Sequence, residues 1–219
     1  YRGIDAEHPR VWTAVNDTKG ECLTGQGPDG AYSIFPTYYS AICGGHTENS
    51  KRVFGDSFVP LSGVACAYCQ DVAKLGQYLW PMAQYPKKSV SDKILRRYSK
   101  LKALERIVEL APAKQSEYEG YARITSFKLT GVNGKTDYLR AEDLRLTVDP
   151  SGREIQSTVC RIADWEDQWA FIGGRGWGHG VGLCQCGAQG LAKQGSDYQA
   201  ILQHYYPGSK TINIYDKEI

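Results

Sequence analysis

Between Gly173 and Gly190 the chain reads GGRGWGHGVGLCQCGAQG, with glycine at Gly174, Gly176, Gly178, Gly180 and Gly182. Successive side chains of a strand point to opposite faces. An extended run would therefore leave one face bare and carry Arg175, Trp177, His179 and Val181 on the other. A bare face admits a flat ligand or a second backbone at close range. A glycine-rich turn, or a bend in a barrel, is the other reading of the same residues. Nucleotide binding is set aside. No register gives G-x-G-x-x-G, because the third position falls on His179, Val181 or Leu183, and there is no Walker lysine.

The 219 residues allow one large domain or two small ones, and 42% apolar content is enough for a core. Fifteen tyrosines and five tryptophans suit half-buried sheets and stacking surfaces for sugars. A net charge of +2 gives no electrostatic argument for nucleic acid or for a membrane surface. No apolar run approaches the roughly 18 residues of a membrane span. The chain opens at Tyr1 rather than Met, which reads as a mature or trimmed form.

Val11–Leu23 reads as two short strands around the Asn16–Gly20 turn, and Ile34–Ile42 as a strand after the Gly25–Gly30 loop. Ser91 is a good N-cap for a helix with Ile94, Leu95, Tyr98 and Leu101 on one face. Leu104–Leu110 fits helix or strand, with Pro112 ending it either way. Tyr121–Leu129 and Thr136–Leu139 read as strands, and Ala141–Val148 as a helix stopped at Asp149-Pro150. A hairpin of Ile155–Ile162 and Gln168–Ile172 feeds the glycine run. A helix over Gly187–Lys193 and another capped by Ser196 and broken at Pro207-Gly208 close the chain. Short strands interleaved with short helices predict an α+β fold, mostly antiparallel sheet with short helices.

Seven cysteines cannot all pair within one chain. Cys43-Gly-Gly-His46 and Cys66-Ala-Tyr-Cys69 are two turns with two-residue spacers, which lets both ligands of each turn reach one ion. Gly44 and Gly45 permit the twist this needs. Four such ligands, Cys43, His46, Cys66 and Cys69, predict a closed, structural zinc site that stabilises the loop. Disulfides are the alternative, and they leave His46 without a role. Cys160, Cys184 and Cys186 remain, the last two too close in extended chain for an easy mutual disulfide.

The stretch GRGWGHGVGLCQCGAQGLAKQGSDYQAILQHYYPGS, Gly174–Ser209, resembles the C-terminal signature of the stage II sporulation protein D and amidase-enhancer family. TAVNDTKGECL, TYYSAICGGHTENSKRVFG, DLRLTV and IQSTVC resemble earlier segments of that family, so the likeness runs from about Trp12 to Ile214. The resemblance implies a single domain over 1–219, and the stretch it matches least, about 72–110, reads as a helical insertion. It also implies an extracytoplasmic, sporulation-related or cell-wall setting. The activity implied is that of a peptidoglycan lytic transglycosylase, which cleaves the MurNAc–GlcNAc bond without water and leaves a 1,6-anhydro end. One glutamate protonates the leaving oxygen, and the substrate's own 6-hydroxyl is the nucleophile, unlike two-carboxylate hydrolysis.

That glutamate belongs to a family segment upstream of the TAVNDTKG stretch, so no residue here inherits the catalytic role and the domain is N-terminally incomplete. The alternative function is a non-catalytic module that binds peptidoglycan glycan strands or enhances a cell-wall amidase. Binding candidates are Gly174, Arg175, Gly176, Trp177, Gly178, His179, Gly180 and Gln185 of the run, with Tyr39 and Ser40 beside the zinc turn. Glu48 is either a loop residue orienting His46 or an internal acid. Arg145 corresponds to a family arginine that faces the groove, or else lies on a helix surface.

Overall fold

The computed structural model describes residues 8–215, so Tyr1 lies outside the described residues. The described elements, in order, begin with α1 (Pro9–Asp17), β1 (Glu21–Gln26), β2 (Tyr32–Ile34), β3 (Tyr39–Ser40), α2 (Ser50–Val53) and α3 (Leu75–Tyr78). Next come β4 (Leu79–Trp80), β5 (Ala83–Pro86), α4 (Lys87–Arg97), β6 (Ile107–Tyr118), β7 (Tyr121–Gly131), β8 (Thr136–Arg140) and α5 (Ala141–Val148). The chain ends through β9 (Arg161–Trp165), β10 (Gln168–Ile172), β11 (Gly174–Arg175), β12 (Leu183–Cys184), α6 (Gln185–Lys193), α7 (Tyr198–Tyr205) and β13 (Lys210–Asn213). The fold is α+β. Its sheets have the orders β13-β1-β2, β5-β10-β9, β6-β7-β8, β11-β4 and β12-β3, antiparallel except for the last pair.

Two hydrophobic cores result. The middle of the chain, from Trp80 to Phe171, folds α4, α5 and the β6-β7-β8 sheet around Ile94, Leu104, Phe127, Leu144 and Trp169. The flanking segments meet in the second core, where Phe35, Ile42 and Leu61 pack with Val181, Leu191, Tyr205 and Tyr206. Arg123 of β7 ties the two together. It is fully buried, and its guanidinium donates to the carbonyls of Cys43 (2.8 Å) and His179 (3.3 Å).

Several expectations need correcting. Val11–Asp17 is helical, not strand, because Pro9 sits at the first turn and the His8 ring accepts the Arg10 N–H (3.2 Å) as an N-cap. Pro112 does not end its element. It lies inside β6, at the edge of its sheet and next to a register shift, where a missing N–H costs no ladder bond. Helix α4 starts at Lys87, four residues before Ser91, and the Ser91 hydroxyl instead accepts the Ile107 N–H (2.9 Å). Leu101 and Leu104 lie in a 3-10 turn, Ser99–Leu104, rather than on α4. The region 72–110 therefore mixes strands, α4 and this turn, and is not purely helical. The last helix is capped by Asp197, whose carboxylate accepts from Ala200 N–H (2.8 Å), not by Ser196. Ile155–Cys160 is loop, with the hairpin strand starting at Arg161.

Asp149, just after α5, shapes that loop. Its carboxylate accepts from Ser151 N–H (3.1 Å), Ser151 Oγ (2.6 Å), Glu154 N–H (2.8 Å) and Ile155 N–H (3.0 Å). Burial works against the charge, but these hydrogen bonds outweigh it and hold the carboxyl below its usual range. Among the described residues no helix is long and apolar enough to cross a membrane.

Candidate metal centre and glycine loop

Four cysteines converge in the second core. The sulfurs of Cys43, Cys66, Cys69 and Cys184 all lie within 4.8 Å of one another, and all four residues are buried. Cys43 Sγ and Cys69 Sγ are 3.8 Å apart. A tetrahedron with metal–sulfur bonds of about 2.3 Å has edges of about 3.8 Å, so the group has the size of a four-thiolate site. All seven cysteines carry free thiols.

Cys43, Cys66 and Cys69 thus come together in the way their spacing suggests, but the fourth member is Cys184 rather than His46. The His46 ring stacks on Tyr118 (centroids 3.9 Å apart), and its Nδ1 lies 2.6 Å from the Thr47 carbonyl oxygen. Cys184 arrives at the end of β12, which pairs in parallel with β3 and so runs beside the Cys43 turn. Its sulfur accepts the N–H of Cys43 (3.2 Å) and, at the start of α6, that of Gly187 (3.4 Å). Tyr205 Oη sits 3.1 Å from Cys66 Sγ. Such donors steady thiolates. A Cβ at Gly187 would lie 2.5 Å from Cys66 Sγ, so only glycine lets α6 approach the cluster.

The sulfurs perturb one another. Contacts with Cys184 and Cys43 lower the Cys66 and Cys69 thiols, while contact with Cys184 and burial raise Cys43. A cation would compensate four such groups together, and the donor set fits a soft or borderline ion.

The glycine run is not an extended strand with a bare face. Beyond β11 its glycines Gly176, Gly178, Gly180 and Gly182 all have φ between 70° and 103°. The backbone reverses its pleat at each, and the intervening side chains diverge. The loop is stitched to the metal turn: Trp177 and Ile42 exchange backbone hydrogen bonds (2.8 and 3.0 Å), and Glu48 N–H donates to Gly180 O (2.7 Å). At Gly182 the requirement is strictest. A Cβ there would lie 1.9 Å from the Tyr38 carbonyl oxygen.

The other candidate residues consequently disperse. Arg175 lines a cleft with His46, Tyr78 and Tyr121. Trp177 and Gln185 border a second depression beside Gln77 and Gln189. Tyr39, which is exposed, and Gln185 border a cavity of about 480 Å³ with Leu23 and Ile34. His179 turns inward. Its ring meets Phe54 and Tyr38 edge-on (5.0 and 6.2 Å), and its Nδ1 accepts the Val181 N–H (3.0 Å). Burial lowers its pKa.

Glu48, Ser40 and Arg145 are buried. Glu48 does not orient His46; one carboxylate oxygen accepts Asn49 N–H (2.9 Å) and pairs with Arg52 (3.4 Å), and the other has no partner among the described residues. Arg145 lies neither on a helix surface nor open to a groove. It forks onto Glu142 (2.9 and 2.5 Å) and donates to Ile155 O (2.9 Å), clamping the loop after α5. Arg123 and Cys184 were the residues missed. Cys184 is remote in sequence from the other three thiols, and Arg123 sits in an ordinary strand pattern, YARITSF.

Comparison with known proteins fits a cell-wall relationship without fixing a family. No family model matches the chain. It is 31% identical over 214 residues, 97% of its own length, to an uncharacterized protein of Brachyspira hyodysenteriae, covering 51% of that protein. The chain therefore spans about half the length of that relative. Over 38 residues (17% of this chain, 5% of the relative) it is 50% identical to the amidase enhancer of Bacillus subtilis. Over 64 residues (26% and 18%) it is 42% identical to stage II sporulation protein D of Bacillus amyloliquefaciens.

Proposed function

We propose that this chain is a peptidoglycan-gripping domain of the stage II sporulation protein D type, part of an extracytoplasmic lytic transglycosylase. The observation that carries the reading is the local identity with stage II sporulation protein D. It is joined by a glycine loop that is hydrogen-bonded to the turn carrying Cys43. In this reading the four cysteines hold zinc, all four positions are filled by protein, and the ion only fixes the turn. The chemistry is then acid-assisted. A glutamate protonates the glycosidic oxygen, and the muramic acid 6-hydroxyl closes onto the anomeric carbon.

Within this chain Glu48 is a poor candidate for that acid, since it is 0% exposed and cannot touch a polymer. In this reading no residue of this chain is assigned as the acid. A second reading, a module that activates an amidase without cleaving, is favoured by the match to the amidase enhancer. Incubating the complete gene product with purified peptidoglycan separates the two. Anhydro-muropeptides detected by mass spectrometry support the transglycosylase, and intact strands with stimulated amidase release support the enhancer.

A further inference from the structure

The net charge of +2 conceals a local concentration of cations. From Arg96 to Arg106 the chain carries Arg96, Arg97, Lys100, Lys102 and Arg106 against a single acid, Glu105. All five cations are exposed, and among the described residues none of them forms an ion pair. Arg96 and Arg97 close α4, where the negative end of a helix favours cations, so those two have a structural explanation. The next residues form the 3-10 turn Ser99–Leu104. Its three residues per turn put Leu101 and Leu104 in the core and leave Lys100 and Lys102 in solvent.

The turn between β7 and β8 is fastened beside them. Val132 N–H donates to Arg106 O (2.8 Å), and the Asn133 amide donates to Ala103 O (2.9 Å) and to Glu105 Oε1 (3.1 Å). Lys135 of the same turn is exposed and also makes no ion pair among the described residues. Next to these cations stand two apolar side chains in solvent, Val132 (49% exposed) and Val108 (38%). The neighbouring acids are engaged elsewhere. Glu105 holds Asn133, Glu109 accepts from Thr130 Oγ1 (2.7 Å), and Asp137 accepts the Tyr138 N–H (2.7 Å).

We infer that this basic edge is a docking surface for an anionic lipid bilayer, with the cations on the headgroup phosphates and Val132 at the apolar boundary. Lysines and arginines near a negative lipid surface add their attractions, and the effect fades within a Debye length of about 8–10 Å. A soluble polyanion would take up the cations but gain nothing from the exposed valines, whereas a bilayer uses both. Among the described residues no helix crosses a membrane, so this contact is peripheral. It is independent of the glycan reading, and its failure leaves that reading untouched.

Sedimentation of the purified chain with neutral phosphatidylcholine vesicles and with vesicles enriched in phosphatidylglycerol tests it. At low salt the anionic vesicles should bind the chain about tenfold or more tighter, and salt that shortens the Debye length to about 3 Å should remove the difference. Combining Lys100→Gln, Lys102→Gln and Arg106→Gln should weaken binding to anionic vesicles about tenfold or more. Val132→Ser should weaken binding to the same vesicles and leave binding to soluble polyphosphate unchanged. Should the triple variant fail to fold, the lipid comparison on the unaltered chain still decides. Equal binding to neutral and anionic vesicles, or to neither, overturns the inference. Vesicle binding indifferent to Val132→Ser and matched by polyphosphate also overturns it, in favour of a soluble polyanion.

Discussion

Replacing Cys184 by serine tests the metal centre at the ligand that is remote in sequence from the other three. The four sulfurs lie within 4.8 Å, and two backbone N–H groups, one of them in the first turn of α6, donate to Cys184. Structural zinc sites bind with about 10–16 kcal/mol near neutral pH. Divided over four ligands, one thiolate carries about 3 kcal/mol, or a loss of about a hundredfold in affinity. Because the site holds the Cys43 turn against α6, chelating the metal should also lower stability. A loss of about 5 kcal/mol in a chain of this size shifts Tm by about 10–20 °C.

Competition with a chromogenic chelator, read together with elemental analysis, measures the first quantity, and calorimetry the second. His46→Ala is the control: its ring packs on Tyr118, so it should retain one zinc per chain. Zinc lost from His46→Ala and kept by Cys184→Ser would refute the assignment.

The glycine loop, the Asp149 loop and His179 give further tests. Gly182→Ala forces a Cβ to within 1.9 Å of a backbone carbonyl at φ +70°, and should cost more than about 3 kcal/mol by urea unfolding. Gly55→Ala, at φ +96° but with nothing within 4 Å, should cost only about 1 kcal/mol, and equal losses would contradict the packing argument. Asp149 has a folded pKa below its unfolded value of about 3.9, so its contribution is present above about pH 4 and is lost as pH falls through the folded value. Asp149→Asn should cost about 3 kcal/mol at pH 7 and flatten the acid limb of the stability profile; an unchanged limb removes Asp149 as its source. His179→Ala should lower stability by about 2 kcal/mol through its lost packing and the orphaned Val181 N–H. Weaker glycan binding with unchanged Tm would instead put the ring in the cleft.

Local chemistry made part of this legible. Ala141–Val148 is helical over the span its apolar spacing and the Asp149-Pro150 stop suggest, and the strands around Gly131–Gly134 follow from their turn residues. The Cys66 and Cys69 pairing follows from their two-residue spacer, whereas the spacer from Cys43 to His46 places only Cys43 in the cluster. Long-range partners decided the rest. Glycine at every second position fits either a pleated strand or a chain of left-handed turns. The choice depends on what lies across from it, here Tyr38 O, Ile42 O, Ser40 and the Arg123 guanidinium. Cys184 is placed by the β3–β12 pairing, a contact no local spacing encodes. Val11 and Val15 favour a strand by β-branching, yet Pro9 at the first turn and the helical spacing of Val11, Trp12 and Val15 made the segment a helix.

Whether this chain grips peptidoglycan is decided by co-sedimentation of the purified, zinc-loaded chain with washed sacculi. The chain should pellet with the sacculi and be released by soluble MurNAc-containing glycan. A chain that stays in the supernatant at every sacculus concentration does not grip peptidoglycan.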